Sequence, residues 1–169
     1  MSDRYRLIER VATPEEYRAL CTAVGWEAVI NFEAANEALP NSLYGVVVEC
    51  EERVVGMGRV VGDGAIFYYL QDIAVMPGYQ GRGVGRRIVE QLVGHIKAVA
   101  PEKAFVGVFA AAGTERFYEE YGFRDWEALT GMYQVVAMRG TGREAECGEG
   151  DYEQGSIVDG CPAAVGDGE

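Results

Sequence analysis

Apolar and polar positions change period along the chain, and the changes divide it into elements. Tyr5 to Val11 carries a short strand-like alternation. Thr13-Pro14-Glu15-Glu16 has the form of a capping box with proline at the first helical position, so a helix is expected from Pro14 to about Val24, stopped at Gly25. A second helical pattern, Ala28 to Leu39, closes at Pro40-Asn41. From Leu43 the period is that of strands. Leu43–Cys50, Val54–Val61 and Ala65–Val75 are β-rich runs parted by the hairpin turns Glu51-Glu52-Arg53 and Gly62-Asp63-Gly64, which predicts an antiparallel meander. Val84, Ile88, Leu92 and Ile96 then recur every four residues with Val89 and Val93 beside them, a long amphipathic helix that ends before Pro101. Ala104–Ala110 reads as a fifth, buried strand. Gly113 or Thr114 opens a further helix that ends where Gly122 can turn left-handed, and Met132–Met138 is a final strand.

The junction between the third run and the long helix, Asp72 to Ile96, organises the rest. Met76-Pro77-Gly78 breaks the strand, because proline cannot donate to a ladder and glycine admits turn conformations. Gly81, Gly83 and Gly85 then lead straight into the helix. Strand, glycine turn and helix make a phosphate cradle: glycines let backbone approach an anion, and the first helical turn offers unpaired N–H groups at the positive end of its dipole. Charge sharpens this reading. Asp and Glu outnumber Lys and Arg 27 to 15, yet none falls between Ile73 and Val89, where Arg82, Arg86 and Arg87 stand. Three guanidiniums on such a turn suit a polyanion. The plainer alternative is a tight turn with solvated arginines.

Composition narrows the class. The 169 residues suit one domain with a full core, and the net charge of −12 argues against nonspecific nucleic-acid or anionic-membrane binding. No apolar stretch is long enough to span a bilayer and the first residues are charged, so a soluble cytoplasmic protein is expected. Cys21, Cys50, Cys147 and Cys161 form no metal-binding or disulfide pattern, so no metal is called for. The segment 140–169 holds eight glycines and eight acids against one arginine, and its sparse apolar residues predict a disordered acidic tail behind a domain at 1–139.

Gln80-Gly81-Arg82-Gly83-Val84-Gly85 resembles the (Gln/Arg)-x-x-Gly-x-(Gly/Ala) motif of the GNAT superfamily of acyl-CoA-dependent N-acyltransferases, in its usual place after a strand ending in Val-x-Pro. Arg116-Phe117-Tyr118-Glu119-Glu120-Tyr121-Gly122-Phe123 is similar to the family's late helix and turn, and the resemblance covers roughly residues 5 to 139. It implies an α/β (α+β) fold: a mixed, mostly antiparallel central sheet of six to seven strands, flanked by about four helices, with the central strands splayed apart. It also implies acetyl-CoA as acyl donor. The turn amides and side chains of Gln80, Gly81, Arg82, Gly83, Val84, Gly85 and Arg86 would hold the diphosphate, and the backbone of Ile73, Ala74 and Val75 the pantetheine arm and thioester oxygen. Tyr118 matches the tyrosine that protonates the departing thiolate, a reasonable role for a phenol beside a thiolate of similar basicity.

The base is harder to place. Some relatives carry a glutamate where this chain has about Val106, and an asparagine where it has Ala111. Asp72, beside the splay, is the preferred substitute, with Tyr69 and Glu33 behind it. Trp26, Phe32 and Glu33 are candidates for the acceptor wall, the two aromatics equally for the core. His95, the only histidine, lies three turns beyond the phosphate turn and reads as surface or packing. The expected activity is acetyl transfer to a small primary amine, with a protein N-terminus or lysine as the lesser acceptor and a catalytically silent acyl-CoA-binding domain as the rival. A dinucleotide fold fits less well, since the turn is Gly-x-Gly-x-Gly and follows a hairpin meander. The sequence leaves a homodimer open.

Overall fold

The computed structural model describes residues 4–125 and positions 127, 130–132, 134 and 136. Strands β1 (Tyr5–Ile8), β2 (Tyr44–Cys50), β3 (Arg53–Gly62), β4 (Phe67–Val75) and β5 (Phe105–Val108) form one sheet in chain order. The first four are antiparallel and β5 joins β4 in parallel. Helices α1 (Pro14–Ala23) and α2 (Ala35–Ala38) cover one face, and α3 (Val84–Val99) covers the other, followed by α4 (Glu115–Glu119).

The apolar stripe of α3, from Val84 through Ile88, Leu92 and Ile96, packs on Val46, Val48, Val55, Val60, Tyr68 and Leu70, whereas Leu20, Val24 and Leu39 meet Val47, Met57 and Ala74 from the opposite side. The approach of α3 is close because β3 is bare beneath it. A Cβ at Gly58 would stand 2.6 Å from Ile88 Cγ2.

Side-chain parity in β4 carries a further message. Tyr68 and Leu70 face α3, and so do Ile73 and Val75, so the alternation slips by one residue between them. The register slips at the same place: Arg59 pairs with Gln71 and Met57 with Ala74, leaving Asp72 and Ile73 opposite Gly58. This is a β-bulge, with Asp72 in the left-handed region at φ 54°. An L-residue there costs on the order of 1 kcal/mol, and aspartate is among the few that tolerate it. Beyond Leu70 the two central strands part: β5 ends at Val108 while β4 runs on to Val75, which is the expected splay.

The capping box at Thr13 is present, with the Glu16 N–H donating to Thr13 Oγ1 and the Thr13 N–H to Glu16 Oε2. Three expectations are corrected. The second helix is one turn, Ala35–Ala38, because the Asn31 side chain accepts from the N–H groups of Glu33 and Ala34 and holds an Asx turn instead of helix. Strand β4 begins at Phe67, not Ala65, since Asp63 Oδ1 gathers the N–H groups of Ala65, Ile66 and Phe67. Among the described residues the sheet has five strands, not six to seven. The final strand expected at Met132–Met138 falls largely outside the described residues, and the acidic tail lies wholly outside them. No described helix is long and apolar enough to cross a membrane.

Candidate active site

The strand-to-helix junction builds as the glycines require. After Val75 a short 3-10 turn, Pro77–Tyr79, leads to Gly81 and Gly83, both left-handed at φ 68° and 76°. Gly83 caps α3 with no side-chain bond to the first turn, so the leading N–H groups of a 16-residue helix stay open to an anion. Gln80 braces the turn from within. Its Nε2 donates to Val75 O at 3.0 Å and ties the turn to the strand end.

The arginines also divide. Arg87 donates to Tyr5 O at 2.8 Å and serves the fold. Arg86 pairs with Glu120 just past α4, 2.7 Å away. Arg82 is exposed, its guanidinium 6.0 Å from the Tyr79 ring centre, with no ion pair among the described residues. Gly85 and Val84 are buried beneath the turn.

The splay opens a cleft of about 340 Å³. Leu70, Gln71, Asp72 and Ile73 line one side and Val108, Phe109, Ala110 and Ala111 the other, with Trp26, Val29 and Ile30 closing it from the loop after α1. Thr114 and Tyr118 form its end wall. Thr114 is buried and fixes the approach to α4, its hydroxyl and its N–H both donating to Ala111 O. Tyr118 is 7 % exposed, held edge-on between Phe117 and Phe123. Burial pushes its phenol up to about 12, so the hydroxyl stays protonated at neutral pH. No described residue bonds that hydroxyl, which leaves it available to a guest in the cleft.

Asp72 lies on the bulge, and its carboxylate accepts from Arg59 Nε at 2.5 Å. The two side chains are 12 % and 17 % exposed. Beneath them Tyr17, Met57, Leu39 and Ala12 enclose a space of about 10 Å³, the size of one water. Burial raises the Tyr17 phenol, and the Asp72 charge adds to it; burial also pushes the Cys21 thiol up to about 12, again with help from Asp72. Asp72 is the one carboxylate lining the cleft among the described residues.

Other candidates lie elsewhere. Tyr69 stacks near Phe67 and Phe105 and covers Gly107. Glu33 is exposed, Phe32 packs edge-on to Tyr17 beneath Arg18, and Val106 packs against the α3 core. His95 stacks on Tyr44 at 3.7 Å, on the α3 face. Trp26 does reach the cleft, and its indole N–H is buried without a partner among the described residues. Sequence reading missed Arg59 and Thr114. An arginine inside the apolar run Val54–Val61 was the available signal for the first.

A family model described as an acetyltransferase (GNAT) domain matches residues 12–134. A Glycine max protein named histone acetyltransferase TAP1 is 30% identical over 129 residues, covering 70% of this chain and 55% of that one. A protein of Oryza sativa subsp. japonica named serotonin N-acetyltransferase 2, chloroplastic, is 32% identical over 81 residues, 47% of this chain and 40% of that one. The chain thus spans about half the length, or less, of these curated relatives. A crystal structure from meticillin-resistant Staphylococcus aureus, a protein of unknown function called a probable acetyltransferase, superposes with TM-score 0.73 at 34% identity, over 78% of this chain and 99% of that one.

Proposed function

From the premise that the chain belongs to the GNAT family of acetyltransferases, we propose that its domain moves an acetyl group from acetyl-CoA to a small primary amine. One observation carries this reading: the segment from Asp72 to Arg86 supplies both the strand that leaves β5 to open the cleft and the helix start that can seat a diphosphate. Residues Gly81–Arg86 present backbone N–H groups and guanidiniums to the coenzyme, and the backbone of Ile73–Val75 is the edge along which its thioester arm lies. A preorganised N–H donor at the thioester oxygen contributes about 3 kcal/mol to such reactions.

In the transfer step the neutral amine nitrogen attacks the thioester carbonyl. The C–N bond forms, the C–S bond breaks, and Tyr118 gives its hydroxyl proton to the departing sulfur. Asp72 takes the amine proton through water and later releases it to solvent, while Tyr118 regains its proton from solvent. The place of Tyr118 in the cleft wall supports this assignment, and like any tyrosine at neutral pH it enters the step protonated.

The described lining favours an amine on a compact apolar body. Trp26, Val29 and Ile30 face Phe109 and Ala110 across the cleft, and a single carboxylate gives little to a polycation. A protein amine is the second reading, favoured by the name of the Glycine max relative. Thiol release from acetyl-CoA, with mass spectrometry of products, separates them. Phenethylamine should be acetylated faster than spermidine or a histone tail peptide. Peptide acetylation alone would shift the assignment to the protein acceptor, and tight CoA binding without any thiol release would mark a silent domain.

A further inference from the structure

The bulge that opens the cleft has a side-chain clamp. Asp72 is left-handed, and it supplies the extra residue that turns Ile73 and Val75 toward α3. Its carboxylate does not point to open solvent: it accepts from Arg59 on the neighbouring strand, and both side chains are largely buried. Arg59 in turn donates through Nη1 to Ser42 Oγ at 3.2 Å and to Ala38 O at 3.5 Å. One guanidinium therefore ties the β4 bulge to the end of α2 and the entry to β2. Tyr17 and Cys21 of α1 are the other titratable groups facing Asp72 from behind, and both stay neutral at physiological pH, so the cation at Arg59 is the one charge available to balance the carboxylate there.

We propose that Arg59 is a positioning residue for acyl transfer, holding Asp72 and the following backbone in the bulged register that places them at the thioester. This rests on the acetyl-transfer reading above. It predicts that Arg59 affects turnover and not the seat of the coenzyme, because the glycine turn and the first turn of α3 make no bond to it. Small displacements of reacting groups cost large factors in rate, so the effect on turnover is expected to be substantial.

The test uses the full chain, acetyl-CoA and phenethylamine. Arg59→Met should lower kcat by about tenfold or more while the KM for acetyl-CoA and the calorimetric Kd for CoA move less than about threefold. Arg59→Lys, which keeps the charge and a donor, should restore kcat to within about fivefold of wild type. Amide hydrogen exchange at Ile73–Val75 should quicken in Arg59→Met with α3 unchanged. Ser42→Ala, which removes an anchor of Arg59, should lower kcat by about twofold to fivefold and serves if Arg59→Met fails to fold. A kcat for Arg59→Met within twofold of wild type would overturn the proposal. So would a loss that tracks CoA affinity and α3 protection, the mark of general unfolding. If wild type itself releases no thiol, the acetyl-transfer reading fails, and exchange then decides for the clamp: quickened exchange at Ile73–Val75 supports it and unchanged exchange refutes it.

Discussion

The proposed coenzyme seat is made mostly of backbone, the proposed acceptor end of the cleft mostly of side chains. At the first, two left-handed glycines and an open helix start present N–H groups whose positions follow from turn geometry. At the second, Asn31 bends the loop after α1, Arg59 holds Asp72, and Thr114 fixes the approach to Tyr118. Backbone geometry tolerates change in most side chains around it, whereas an arrangement of side chains fails with any one of them. Variants at the two ends should therefore separate cleanly into effects on coenzyme affinity and effects on turnover or the amine.

The sharpest separation is expected at Tyr118. Tyr118→Phe should lower kcat about 100-fold and leave CoA affinity within about threefold, measured by thiol release and calorimetry. A matching loss of affinity would break the contrast. The pH profile checks the same residue. A phenol held up at about 12 keeps its proton through the ordinary assay range, so the wild-type rate should show no alkaline decline from this group up to about pH 10. The sign for stability follows: the folded phenol titrates above its unfolded counterpart, so its contribution is intact below about pH 10 and is lost as pH rises from there toward about 12.

Gly83→Val is the mirror experiment at the other end. A β-branched residue forced to φ 76° should destabilise the chain by about 1–2 kcal/mol in urea unfolding and weaken CoA about tenfold. With saturating acetyl-CoA its kcat should stay near wild type. Asn31→Ala should act more mildly, raising the KM for the amine about threefold with coenzyme affinity unchanged, because only the acceptor loop loses its turn. Smallest of all is Glu120→Gln. Freeing Arg86 from its exposed partner should tighten CoA by about twofold at low salt, and the gain should vanish in high salt.

How much was legible beforehand follows the same division. The glycine turn, the α3 stripe and the hairpins could be read because local chemistry dictates them: a Pro-Gly break, a four-residue apolar repeat, glycines where φ is positive. The bulge was written in the sequence too, as the slip from Tyr68 and Leu70 to Ile73 and Val75, but inside a long apolar run that slip looks like an unbroken strand. The helix expected at Ala28–Leu39 failed because Asn31 competes for backbone N–H groups that periodicity counts as helical. Arg59 could be noticed as a charge in an apolar run, but its role could not. Its partner lies on the neighbouring strand, and only the register brings it beside Asp72.

The central claim is that one coenzyme spans the helix start and the opened strand. Backbone amide NMR during titration with acetyl-CoA tests it most directly. The account predicts saturable shifts at Gly81, Gly83 and Val84 together with Ile73, Ala74 and Val75, all following one binding curve. Shifts confined to the turn, shifts on another face, or none at all would contradict it.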